Sequence, residues 1–335
     1  MIASAGAAGP RRRLLLATPA LLLAPLATRG ARAAGGPDKP IRVVVPYAPG
    51  TNSDVQTRLV TAHMTQTLGQ PFIVENRAGA GGSVGAEAVA KARPDGYTLL
   101  TGSNGPLAIN PALQPRLGYA VSDFSAIGMI SRASHTISVR ADAPWKTLAE
   151  FIAAAKAEPG RITMGSSGTG SATHFTLEML QGQAGVRLTH VPYRGSSVAV
   201  PDLVAGNVAS VCCELTTVLP TLRGGLTRVL ALAAEARSPL VPEVVTTAEA
   251  GMPGLVGASW VGLVAPAGVP AEAMAELSRA FRAAMADATV QSRTREAGAD
   301  PAPEGEQTPA GFAAFIGREA SRVREVAAAT GMKLD

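Results

Sequence analysis

The chain has 335 residues, 47% hydrophobic but only 4% aromatic, with 30 Lys+Arg against 25 Asp+Glu. Five of those arginines and no acidic residue fall within residues 1–33, so 25 basic and 25 acidic residues remain beyond them, and the electrostatic footprint of a nucleic-acid binder is missing. Its two cysteines, Cys212 and Cys213, are adjacent and pair only with strain, which excludes a disulfide framework.

Residues 1–33 read as an export signal. Arg11, Arg12 and Arg13 precede an apolar run from Leu14 to Leu26, and Ala31, Arg32 and Ala33 form a small-x-small cleavage pattern. The run is too short and too interrupted by proline for a membrane span, so no insertion of the mature chain is expected. The Arg-Arg-x-Leu-Leu order fits either the twin-arginine or the general secretory route, and both place the protein outside the cytoplasm.

The first predicted strand is IRVVVPY from Ile41, followed by the polar loop VPYAPGTNSD at 45–54. Ser53 or Asp54 is placed to cap a helix bearing Val55, Leu59 and Ala62 on one face and stopping at Gly69. FIVENR from Phe72 is the second strand, and Gly79, Gly81 and Gly82 lead into a helix with Val84, Ala88 and Val89 on its apolar face. A tight strand-to-helix connection explains such a glycine cluster alone, but its bare N–H groups also suit an anion.

Further strands are predicted at YTLLTGS from Tyr97, TISVRA from Thr136, RITMGSS from Arg161, LTHVPY from Leu188, ASVCCEL from Ala209 and TRVLALAA from Thr227. Between them, Thr147 and Glu150 form a capping box, and Pro159-Gly160 closes that helix. A third polar loop, MGSSGTGSATH, occupies 164–174. The late strand SWVGLVAPAG from Ser259 precedes a helix with Met274, Leu277 and Phe281. Thr308-Pro309 opens a last helix carrying Phe312, Ile316 and Val323 as far as Gly331. Strands alternating with helices argue for an α/β fold with parallel sheets.

Enzyme signatures fail in detail. Ser167 has Gly165 two places before it but Thr169 two places after, so the nucleophile elbow is incomplete, and His174 is not positioned by any motif. Counting from Gly79 and Gly81, the third dinucleotide-fingerprint position is Val84, and no Walker sequence occurs. His63, His135, His174 and His190 are scattered and show no metal-ligand spacing. No catalytic residue, metal or cofactor is therefore expected.

In order along the chain, VPYAPGTNSD, VENRAGAGGSVGAEAVAKARPDGYTLL, AINP, GSSGTGSATHF, HVPYRGSS, ARSPLVPEVVTTAEAGMPGL and SWVGLVAPAGVP resemble the tripartite tricarboxylate transporter substrate-binding proteins, the Bug family. The resemblance implies an α/β, two-lobed periplasmic-binding-protein type II-like fold: two sheets with helices on both faces, joined by two crossing segments. It also implies closure on a small carboxylate and delivery to membrane transporter subunits, with one lobe at 36–132 plus 253–335, the other at 133–252, and a monomeric protein. Two departures are visible: Gly50-Thr51 replaces the usual Gly-Gly pair, so that Thr51 can offer a hydroxyl, and Glu214 stands where an aspartate is common.

The three polar loops follow strand ends, where ligands sit in open α/β sheets. Their lining is rich in Gly, Ser and Thr and has no Lys or Arg except Arg77, so a carboxylate would be held by peptide N–H groups, hydroxyls and helix N-termini. One clamp is expected from Ser166, Ser167, Thr169, Gly170 and Ser171, and opposing contacts from Tyr47, Ala48, Gly50, Asn52 and Ser53, with Gly81, Gly82 and Asn104 beside them. Tyr193 can add a hydroxyl; Arg194 is either a ligand contact or an edge ion pair. Glu214 can accept from an amino group or from a bridging water, and if it faces the cleft it disfavours a bare second carboxylate nearby. The same fold could instead report to a membrane sensor kinase, and a serine hydrolase at Ser167 is the enzymatic alternative.

Overall fold

The computed structural model describes residues 1–6, 37–114 and 116–330. Its contacts divide the chain into Met1–Ala34 and Gly35–Asp335. Of the first unit only residues 1–6 are described, and they carry no helix or strand. The expected signal from residue 7 onward, and Gly331 as a helix stop, lie outside the described residues.

Within the second unit the elements run β1 (Ile41–Val45), α1 (Asn52–Leu68), β2 (Phe72–Asn76), α2 (Ser83–Ala90), β3 (Thr98–Ser103), α3 (Asn110–Leu113), β4 (Phe124–Arg140) and α4 (Leu148–Ala157). They continue with β5 (Thr163–Ser166), α5 (Ala172–Ala184), β6 (Thr189–Pro192), α6 (Ser196–Ala205), β7 (Ser210–Glu214), α7 (Leu215–Arg223) and β8 (Thr227–Ala233). The last are β9 (Ala258–Pro266), α8 (Ala271–Ala286), α9 (Ala288–Glu296), β10 (Asp300–Pro301) and α10 (Pro309–Thr330).

Two sheets share β4. In the first, β2, β1 and β3 are parallel, and β9 lies antiparallel between β3 and the front half of β4. In the second, the back half of β4 runs antiparallel to β7 on one side and β8 on the other, and β7, β5 and β6 are parallel. The partners of β4 change between Ser134, the last residue paired with β9, and His135, the first paired with β7 and β8. The chain returns at Gly257, whose carbonyl accepts from His135 N–H at 2.9 Å, just before β9 begins.

Alternation along the strands builds a core on each sheet face. Ile41 and Val43 join Val60, Leu99, Leu263 and Phe281, whereas Val44 joins Leu100, Met129, Trp260 and Phe312. Cys212 and Cys213 obey the same rule, one in each core of the second sheet, both buried and free. Burial pushes both thiols up, Cys213 to about 12, which leaves them inert packing groups.

Several expectations need correction. The sheets are mixed, because β4, β8, β9 and β10 run against their neighbours. The strand expected from Thr136 begins at Phe124, its first half concealed by the polar residues Ser125, Ser131, Arg132 and Ser134. In α1 the buried face holds Gln56, Thr57, Val60, Thr61 and Met64, while Val55 is exposed. Polar residues are tolerated there because Thr57 bonds Thr101 at 2.8 Å and Gln56 accepts from Thr294 at 3.1 Å. On α2 the buried residues include Gly85, Ala86 and Val89, and Val84 faces out. Thr51, not Ser53 or Asp54, occupies the N-cap position of α1. The Thr147 hydroxyl accepts from Glu150 N–H as a capping box requires, but the Glu150 carboxyl reaches back to Lys146 N–H, one residue too early to complete the box.

Candidate functional site

Four strand-to-helix junctions and the start of β9 converge on one narrow polar cavity. Its lining comprises Tyr47, Thr51 and Ser53 between β1 and α1, Ser103 and Asn104 after β3, Ser167, Ser171 and Ala172 before α5, Glu214 at the end of β7, and Ser259 in β9. Parallel strands followed by helices place helix N-termini at one edge of a sheet, and the first N–H groups of α1, α5 and α7 have no intrahelical acceptor. No Lys, Arg or His side chain lines the cavity.

The loops that bound it are interlocked. Ala48 N–H donates to Arg194 carbonyl at 3.0 Å, and Ser197 Oγ donates to Pro49 carbonyl at 2.8 Å, tying the loop after β1 to the loop after β6 and to the first turn of α6. Gly81, with φ +58°, fits because it has no side chain: a Cβ there would lie 2.4 Å from Thr169 carbonyl. The Tyr47 hydroxyl donates to Gly81 carbonyl at 3.1 Å, while burial pushes its phenol up, so it remains a neutral hydroxyl.

Glu214 is 7% exposed, and both of its carboxyl oxygens are engaged. Ser196 Oγ donates to one at 2.6 Å and Ser259 Oγ to the other at 2.8 Å. The network extends on both sides. Ser167 Oγ lies 2.6 Å from Ser196 Oγ, while His135 Nε2 lies 2.9 Å from Ser259 Oγ and His135 Nδ1 2.7 Å from Thr176 Oγ1. A hydroxyl has a single proton, and Ser259 gives its proton to Glu214. His135 therefore carries its proton on Nε2 and accepts from Thr176 on Nδ1. Burial pushes His135 down to about 4 despite the nearby Glu214.

Of the residues expected at the site, the structure brings Tyr47, Ser53, Asn104, Ser167, Ser171 and Glu214 to the cavity wall. Ala48 and Gly50 lie off it, their N–H groups given to Arg194 carbonyl and to Asp54 Oδ2. Asn52 is buried outside the lining with neither amide atom partnered. Gly81, Gly82, Thr169 and Gly170 shape the contact between the loops and do not line the cavity. The Ser166 hydroxyl is turned to His190 Nε2 at 2.6 Å, and the Tyr193 hydroxyl donates to Asp202 at 2.7 Å. Arg194 contributes its carbonyl and leaves its side chain exposed. Thr51 does reach the cavity, but its hydroxyl donates to Ala48 carbonyl at 2.9 Å. Asn104 also anchors structure, accepting from Trp260 N–H at 2.9 Å and donating to Ala258 carbonyl at 3.1 Å.

Ser103 and Ser259 were missed. Ser103 immediately precedes the recognised Asn104, a usable signal, whereas Ser259 needs the pairing of β9 with β3 and β4, which no local pattern encodes. The hydrolase arrangement is not assembled: His174 Nδ1 accepts from Gly170 N–H at 3.3 Å, and its Nε2 faces Glu178 at 3.5 Å. Ser171 instead caps α5, accepting from His174 N–H at 3.2 Å. Ser171→Ala is expected to cost about 1 kcal/mol of stability, measurable by urea unfolding. Among the described residues no group of three His, Cys, Asp or Glu could hold a metal, and no helix is long and apolar enough to cross a membrane.

Comparison with known proteins gives a consistent result. The family described as tripartite tricarboxylate transporter family receptor matches residues 56–331. Protein BugT of Bordetella pertussis is 35% identical over 300 residues, covering 89% of this chain and 91% of BugT. The structure of MatC from Rhodopseudomonas palustris with bound malate superposes with a TM-score of 0.83 at 34% identity, covering 87% of this chain and 99% of MatC. Rpa4515 of R. palustris, solved with adipate, gives 0.84 at 32% identity, covering 89% of this chain and 99% of that one.

Proposed function

Because the chain belongs to the tripartite tricarboxylate transporter receptor family, we propose that it is a periplasmic solute-binding protein that closes on a small carboxylate and hands it to membrane transporter subunits. The observation that carries this reading is the cavity itself, built from junctions of both sheets and lined by hydroxyls and helix N-termini without a cation. Neutral donors hold a carboxylate through charge-assisted hydrogen bonds of roughly 1.5–3 kcal/mol each, without the desolvation of a buried counter-ion. Malate in MatC and adipate in Rpa4515 support the ligand class.

We take the two lobes as 36–132 plus 253–335 and 133–252. The change of strand partners at Ser134/His135 and the return at Gly257 support hinge segments close to those borders. Binding favours the shut form only as far as a ligand gains contacts from both lobes.

A thermal-shift screen of protein purified from the periplasm, against mono-, di- and tricarboxylates, tests the proposal. At least one is expected to raise the melting temperature in a concentration-dependent way. No shift from any carboxylate would defeat the reading. Transporter coupling is tested separately by uptake of that carboxylate in cells with and without the membrane subunits. Ser167→Ala is expected to weaken binding by about 2- to 10-fold, the effect of one hydrogen bond. A loss of ester hydrolysis in that variant would mean the serine is a nucleophile.

A further inference from the structure

Glu214 is the one ionisable carboxyl at the cavity wall, and no cationic side chain accompanies it there. As a carboxylate it is acceptor-only, and it fixes the direction of the hydrogen bonds around it. Ser196 gives its proton to one oxygen and Ser259 gives its proton to the other. With the Ser196 proton so committed, the 2.6 Å contact to Ser167 is made by the Ser167 proton, and Ser167 turns lone pairs toward the cavity. Ser259 likewise has no proton left for a ligand. This end of the cavity therefore offers acceptors: the carboxyl of Glu214 and the oxygens of Ser167 and Ser259. The same lining includes Ser53 in the first turn of α1 and Ala172 in the first turn of α5, which bring helix N-terminal N–H groups to it.

The lining thus presents both an acceptor cluster around Glu214 and N–H donors. A ligand with a carboxylate at each end would place one of them against Glu214 with no proton and no cation between them. A ligand with a carboxylate at one end and an N–H group at the other matches both. Resting on the carboxylate-receptor reading, we propose that the cavity selects a short aminocarboxylate, or the corresponding amide, whose N–H donors meet Glu214 and Ser167 while its carboxylate meets the N-termini of α1 and α5.

Isothermal titration with matched pairs tests this, using the full-length protein purified after export. The pairs are β-alanine against succinate, isoserine against malate, and 5-aminopentanoate against adipate, in which an ammonium replaces one carboxylate. In at least one pair the aminocarboxylate is expected to bind at least about 10-fold more tightly than the diacid, with the monoamide succinamate ahead of succinate. In Glu214→Gln the preference is expected to fall by about 10-fold or more, chiefly through gain of diacid binding. Diacids bound as tightly as their amino partners in every pair would overturn the inference and leave the carboxylate-receptor reading standing. A preference unchanged in Glu214→Gln would overturn it equally. Binding of neither member of any pair would overturn both. The wild-type comparison needs no variant, so it decides the question even if Glu214→Gln folds poorly.

Discussion

Gly81→Ala is expected to weaken carboxylate binding by about 10- to 100-fold while lowering the melting temperature of the ligand-free protein only slightly. Gly81 has φ +58° and ψ 24°, so any L-residue there carries a backbone cost of about 1–2 kcal/mol whether the lobes are apart or together. The steric term is different in kind. A Cβ would sit 2.4 Å from Thr169 carbonyl and 2.7 Å from Gly170 carbonyl carbon, both on the loop before α5. Those atoms lie on the loop that follows β5 of the second sheet, so under the proposed closure the clash belongs to the shut form, and overpacking of this kind costs about 1–3 kcal/mol. A term that penalises only the shut form subtracts directly from ligand affinity. Gly185→Ala is the control: Gly185 also has a positive φ, +62°, but its added Cβ meets nothing within 4 Å. It is expected to lower stability and leave affinity unchanged. Calorimetric titration of both variants checks the pair, and wild-type affinity in Gly81→Ala would remove closure at this contact from the mechanism.

That contact also marks where sequence reasoning reaches its limit. The glycine cluster and the serine-rich loop were both visible as loops after strands, because positive-φ glycines and short polar caps announce themselves locally. That Gly81 faces Thr169, and does not face a ligand, depends on two segments almost ninety positions apart meeting across β4, and nothing in either segment encodes it. The same applies to Ser259, placed at the cavity by the pairing of β9 with Ala133 and its neighbours. Tyr47, Ser53, Asn104, Ser167, Ser171 and Glu214 were legible because each sits at a strand end next to a helix start. Gly50, Ser166 and Tyr193 also sit at such ends, but Asp54, His190 and Asp202 take up their polar groups. Position relative to a strand end was readable, whereas side-chain direction needed the partners. The polar buried face of α1 failed for a related reason, since the Thr57 hydroxyl and the Gln56 carbonyl oxygen find their partners in Thr101 and Thr294 from other parts of the chain.

Acidification from pH 7 to pH 4 is expected to cost about 3 kcal/mol of stability through His135 alone. Its imidazole is buried between Thr176 and Ser259, and burial pushes its pKa from the ordinary 6.5 down to about 4. In the unfolded chain the group titrates near 6.5, so between that value and 4 the unfolded state binds the extra proton and stability rises with pH. The contribution is fully present above about pH 6.5, is lost as pH falls through 4, and does not change further below it. His190, stacked on His174 with ring centroids 4.1 Å apart and also held near 4 by burial, acts in the same direction with a smaller effect because it is partly exposed. The lowered carboxyls of Asp54, Glu249 and Asp287 add their loss at still lower pH. Urea unfolding at pH 7.5, 5.5 and 4.5 should show the fall in wild type. In His135→Gln, which keeps polar atoms toward Thr176 and Ser259 but cannot titrate, the slope should be clearly shallower, with the remainder removed largely by adding His190→Gln. Since Ser259 joins His135 to Glu214, a proton on His135 also sets a positive charge one hydroxyl away from Glu214. An identical slope in wild type and His135→Gln would show that this histidine is not the group whose protonation destabilises the fold.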